Sequence, residues 1–143
     1  MKKILLIEDD VFLGDVLTQK LQHEGYDITL VTDGKEGLAK ISALKPDLVL
    51  LDIILPSLSG YEILELKHAD PAIESIPVII VSNSGQPVEI KRALALGVKD
   101  YLVKAQFDPE EVLTKVRAVF DAVSVEKNDD SGKQLAGKKI MWV

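Results

Sequence analysis

The chain reads as an α/β protein, a doubly wound parallel sheet of five strands with helices on both faces. Three observations predict it. Short strand-like runs, three of them wholly apolar, alternate with longer segments of helical period, five times over. The runs Ile4–Ile7, Leu48–Leu51 and Val78–Val81 are apolar throughout, as strands covered on both faces must be. Strict alternation of strand and helix implies right-handed crossovers and therefore parallel pairing.

The elements follow in order. Ile4–Ile7 is the first strand, ended by Glu8-Asp9-Asp10. Leu13, Val16, Leu17 and Leu21 recur at helical spacing, and Gly25 closes that helix. Tyr26–Val31 is a second, more polar strand. Thr32-Asp33-Gly34 is turn chemistry, with Glu36 in the first turn of a helix that runs to about Leu44 before Lys45-Pro46 stops it. Leu48–Leu51 is the third strand and delivers Asp52 to its exit. Pro56–Gly60 is a loop, followed by a helix over about 60–69 that Asp70-Pro71 ends. Pro77–Ser82 is the fourth strand, and the next helix covers about 87–96 before Gly97. Asp100–Lys104 is the fifth strand. Asp108-Pro109-Glu110-Glu111 is a strong helix start, with an acceptor cap, proline in the first helical position and glutamate three residues on from the cap. Val112, Val116, Val119 and Phe120 give that last helix its apolar stripe, to about Val123.

One domain is expected over 1–123, with 124–143 a polar linker or tail. Lys138-Lys139-Ile140-Met141-Trp142-Val143 repeats the pattern of Lys2-Lys3-Ile4-Leu5-Leu6-Ile7, which suggests the first strand of a second copy of the unit. No segment after Val123 is long enough to bind DNA or to catalyse a reaction, so output through a partner protein, or through a segment beyond Val143, is expected.

Composition narrows the function. The 143 residues suffice for one domain with a proper core, and 47% are hydrophobic. A net charge of −6 favours no direct nucleic-acid contact. The absence of cysteine excludes disulfides and thiolate chemistry, and fits a cytoplasmic location. The apolar run at the N-terminus is too short for a signal peptide or a membrane span.

Four of the five strands end in a reactive or polar group: Glu8 and Asp9, Asp52, Ser82, and Lys104. In a doubly wound sheet of order 2-1-3-4-5 these ends meet on one rim, where such folds bind ligands. Asp10 is better explained as the cap of the first helix, and Thr32-Asp33 as a helix start. Three carboxylates gathered there repel. At about 5 Å and an effective dielectric of about 20, each pair costs about 3 kcal/mol. A cation is therefore expected, and hard carboxylate oxygens suit Mg²⁺. Lys104 suits a phosphate and Ser82 adds a hydroxyl. Together these are the parts for phosphoryl transfer to a carboxylate.

On these residues the sequence resembles the receiver domain of two-component response regulators, of the chemotaxis-regulator type, over about 1–123. The resemblance implies a flavodoxin-like topology and a cytoplasmic signalling switch, not an enzyme beyond self-phosphorylation from phosphodonors and self-dephosphorylation. It implies Asp52 as phosphoacceptor for a histidine kinase or phosphotransfer protein. It implies Mg²⁺ held by Asp9, by Glu8 largely through water, by Asp52, and by the backbone carbonyl of Ile54. Ser82 and Lys104 would contact the acyl phosphate, Ser82 and Tyr101 would act as switch residues, and helix 4, strand 5 and helix 5 would face a downstream protein.

Three positions depart from the family pattern. Ala105 replaces the usual proline, so a trans bond is expected after Lys104. Asn83 stands where alanine or glycine is preferred. Ile54 cannot hold a hydrolytic water through its side chain, which implies slow loss of the phosphoryl group, with Ser84 at the other tuning position. The alternative is a module of the same fold that binds protein without being phosphorylated. A phosphatase with an Asp-x-Asp nucleophile lacks its second acid, since Ile54 is there. A flavin protein would need a hydroxyl- and glycine-rich loop where Glu8-Asp9-Asp10 stands.

Overall fold

The structure, a computed structural model, describes residues 1–106 and 108–132. Two compact units are distinguished, Met1–Leu113 and a second that starts at Thr114. The sheet and everything at its rim belong to the first.

The strands are β1 (Lys3–Ile7), β2 (Asp27–Val31), β3 (Leu48–Leu51), β4 (Val78–Ser82) and β5 (Asp100–Val103). They alternate with α1 (Val11–His23), α2 (Gly34–Leu44), α3 (Gly60–His68), α4 (Pro87–Ala95) and α5 (Pro109–Gly132). All pairings are parallel and the order is β2-β1-β3-β4-β5, as the alternation predicts.

The two faces are covered by different helices, and two glycines show which. A Cβ on Gly37 of α2 would come within 2.7 Å of the Ile7 side chain. A Cβ on Gly14 of α1 would come within 3.2 Å of Leu30. Ile7 and Leu30 point to opposite faces, because the register pairs Ile7 with Val31 and Leu6 with Leu30. Leu5, Ile7, Val49, Leu51 and Ile80 therefore pack on the α2 and α3 side, with Ile41 and Ile63. Leu6, Leu48, Leu50 and Ile79 take the other face, and every one is at most 1% exposed.

Four helices start on a side-chain cap. Asp10, Asp33, Ser59 and Asp108 accept from the amides of Leu13, Glu36, Glu62 and Glu111, each satisfying a donor that the first turn leaves free. Ser59 and Glu62 form a reciprocal capping box.

Several strand ends differ by one residue from the sequence expectation, and two differences matter for the site and the last helix. β5 ends at Val103, and Lys104 opens a single 3₁₀ turn to Gln106. The backbone of α5 stays helical to Gly132, past Val123 and through residues expected as linker. Nothing between Glu110 and Ser131 is proline or glycine, so no residue there forces a stop. The segment Lys138–Val143, expected to open a second copy, lies outside the described residues.

Leu50 has no exposed surface. Leu50→Ala is expected to cost about 3 kcal/mol in a urea titration, and a loss near zero would mean that this face of β3 is not sealed.

Candidate functional site

Parallel strands bring their C-terminal ends to one edge. The pairing of Ile7 with Leu51 puts the next residues, Glu8 and Asp52, side by side. The backbone extends the register: the amide of Glu8 donates to Val31 O and that of Asp52 to Ile7 O, both at 2.9 Å. Glu8 and Asp52 are buried while Asp9 is exposed. One carboxylate oxygen from each of the three lies within 4.8 Å of the others.

Lys104 reaches this cluster from the turn after β5. Its Nζ donates to Glu8 Oε2 and to Asp52 Oδ2, both at 2.9 Å. Burial alone would favour the neutral amine, but the bonds and charges of the two carboxylates outweigh it and hold the lysine above its ordinary pKa. For Glu8 the balance goes the other way. Burial raises it, the bond from Lys104 lowers it, and Asp52 raises it again, leaving it at about 7.

One ammonium cannot neutralise three carboxylates. Glu8 Oε2 also accepts from the Asp10 amide at 3.0 Å, yet buried Glu8 Oε1 has no partner. An orphaned buried oxygen is costly unless something fills its shell. Hard oxygen donors with excess negative charge fit a small divalent cation such as Mg²⁺. Glu8, Asp9 and Asp52 would supply its side-chain ligands.

Asp10 takes the separate place expected of it. Its side chain caps α1 at Leu13 N, 3.1 Å away, while its backbone amide serves Glu8. Ile54 meets Asp52 through its amide, 3.4 Å from Oδ1, and its side chain is 70% exposed. Ser82 is buried at the end of β4, next to β3, and its hydroxyl accepts from Ser84 N at 3.2 Å. Tyr101 is half-buried on β5. Its hydroxyl donates to Ser84 O at 2.7 Å, in the loop between β4 and α4, where the Ser84 hydroxyl donates to Glu89 at 2.9 Å. Asn83 is exposed, and no cis peptide occurs among the described residues.

The same loop region holds contacts that no sequence pattern announces. The Tyr61 hydroxyl donates to Glu89 O at 2.9 Å, and the Arg92 guanidinium lies 4.1 Å from the Tyr61 ring centre while bonding Glu65 at 3.2 Å. On the other side of Asp52, Ser57 donates to Asp33 at 2.5 Å. Only the Ser59-x-x-Glu62 box had a legible signature, the spacing of serine and glutamate before an apolar run.

Comparison with known proteins agrees with this fold. The response regulator receiver domain family matches residues 4–117. The chain is 32% identical over 134 residues to the DNA-binding response regulator MtrA of Mycobacterium tuberculosis H37Rv, covering 94% of this chain and 55% of that protein. It is 36% identical over 119 residues to the DNA-binding dual master transcriptional regulator RpaA of Synechocystis, covering 83% of this chain and 49% of that protein. The chain thus spans about half the length of the curated relatives it matches. Among solved structures, a CheY-like receiver domain protein from Methanospirillum hungatei superposes with a TM-score of 0.81 at 31% identity, over 88% of this chain and 98% of that one. The BeF3-activated N-terminal receiver domain of Klebsiella pneumoniae RstA gives 0.74 at 27% identity, over 81% and 96%. With its sheet order and its sequence in agreement, the chain belongs to the response regulator receiver domain family, a signalling module of two-component systems.

Proposed function

We propose that this receiver domain is a phosphoacceptor switch in which Asp52 takes a phosphoryl group from a histidine kinase, a phosphotransfer protein or a small phosphodonor. The observation that carries the reading is the Lys104 ammonium shared between Asp52 and Glu8, beside a buried Glu8 oxygen without a partner.

The chemistry needs little from the protein beyond position and charge. An Asp52 carboxylate oxygen attacks phosphorus while the bond from phosphorus to the donor's imidazole nitrogen breaks and the imidazole leaves. The product is an acyl phosphate on Asp52. Glu8, Asp9, Asp52 and the backbone carbonyl of Ile54 would hold Mg²⁺, which would supply positive charge to the phosphoryl oxygens. Lys104, already in contact with Asp52, exchanges a carboxylate oxygen for a phosphoryl oxygen. The Ser82 hydroxyl, at the end of the adjacent strand, turns toward the same group. A shift of Ser82 pulls on Ser84, and through its carbonyl on Tyr101. This path would carry the signal to β5 and α4, where a downstream protein would read it. The reaction is self-phosphorylation and slow self-hydrolysis in a cytoplasmic signalling protein. No helix of the described residues is long and apolar enough to cross a membrane.

With acetyl phosphate and Mg²⁺, intact mass is expected to show one added phosphoryl group, lost with EDTA and absent in Asp52→Asn. Labelling of Asp52→Asn to the wild-type extent would refute the assignment. No labelling of the wild type under any donor would favour the module that binds protein without phosphorylation. The exposed Ile54 side chain offers no polar atom to a hydrolytic water, so Ile54→Asn is expected to lose its phosphoryl group severalfold faster. Equal decay in the two proteins would remove Ile54 as the cause of a long lifetime.

A further inference from the structure

The loop from Asp52 to Ser59 carries two groups of the proposed site, the Asp52 carboxylate and the Ile54 backbone. Its two ends are fixed by the backbone. The Asp52 amide donates to Ile7 O at 2.9 Å, and the Gly60 amide donates to Ile53 O at 2.7 Å. A Cβ on Gly60 would lie 2.4 Å from Asp52 O, so α3 starts directly against the acceptor residue.

The middle of the loop is held from elsewhere, by the start of α2. The Gly34 amide donates to Pro56 O at 3.0 Å. The Ser57 hydroxyl donates to Asp33 Oδ1 at 2.5 Å. A Cβ on Gly34 would sit 1.8 Å from Leu58 O, so the two segments touch backbone to backbone. Ser57 has a φ of 71°, a conformation that residues other than glycine adopt only when their surroundings enforce it. Asp33 also caps α2 through its other oxygen, which accepts from Glu36 N at 3.0 Å. Its carboxyl is held below the ordinary range, first by the Ser57 hydroxyl. A charged acceptor of this kind makes a stronger bond than a neutral one.

The geometry points to Asp33 and Ser57 as positioning residues: a clamp from α2 that sets the path of the Asp52–Ser59 loop, and with it the affinity of the acidic rim for Mg²⁺. This rests on the reading of Asp52 and Ile54 given above. Neither clamp residue touches the reacting atoms. They act by fixing the backbone between Asp52 and Gly60, as partners behind metal ligands do elsewhere.

The test separates the clamp from the cap. Ser57→Ala removes the donor. Asp33→Ser keeps a good helix cap but lacks the second carboxylate oxygen. Ser57→Asn keeps a donor and tolerates the left-handed backbone. Amide exchange on the metal-free proteins should quicken across residues 54–60 in Ser57→Ala and Asp33→Ser, while α2 stays protected in Asp33→Ser. An amide NMR titration with magnesium chloride should show affinity weakened about tenfold in both. Ser57→Asn should stay within about twofold of wild type. The double variant should be no weaker than either single one, because both break one contact. Phosphorylation should keep its maximal rate at saturating Mg²⁺, with only the half-saturation point moved. Unchanged exchange in the loop, unchanged affinity in both variants, or losses that add would overturn the clamp. If the wild type binds no Mg²⁺, the phosphoacceptor reading fails and the clamp on Mg²⁺ affinity falls with it; the exchange data then report separately whether the contact holds the loop.

Discussion

A single part-buried ammonium, that of Lys104, shared by two buried carboxylates is the constraint on which the rim of this protein depends. Removing charges from water costs several kcal/mol per ion, roughly, unless partners restore what is lost. Lys104 restores part of it at 2.9 Å to each carboxylate, and Glu8 still keeps one oxygen without a partner. Such an arrangement is a structure in electrostatic debt, ready to accept a cation. The raised protonation of Glu8 and the firm charge on Lys104 are two sides of that imbalance.

The sheet makes the imbalance possible. Fully apolar strands can be buried on both faces only if their polar residues are pushed to the ends. Parallel pairing then brings those ends to the same edge, and the order β2-β1-β3-β4-β5 sets β1 beside β3 at its centre. Glu8 and Asp52 are neighbours because Ile7 and Leu51 are. The strength of the core and the chemistry of the rim are thus consequences of one pattern of residues.

That pattern is why so much was legible in the sequence. The strand runs, the capping aspartates and the four strand ends are local signals, and each constrains a position independently of the rest. The pairing of Lys104 with both Glu8 and Asp52 was foreseeable as proximity, but its sharing between them needed coordinates. What could not be read are contacts between elements and loops distant in sequence: Ser57 with Asp33, Tyr61 with Glu89 and Arg92, Tyr101 with Ser84. They depend on how two separate segments approach, and no periodicity encodes that. The extent of α5 was underestimated for a different reason. Polar composition reads as linker, yet nothing from Glu110 to Ser131 is proline or glycine, and the helix runs to Gly132.

Asp10 draws these strands of cause together. Its side chain seats the first turn of α1 on Leu13, and its own amide serves the buried Glu8 carboxylate. Fraying at that helix start is therefore not a harmless local event, because it strips a donor from a charge that has none to spare. The first turn of α1 and the hydrogen bonding of the buried Glu8 carboxylate are thus tied through one residue.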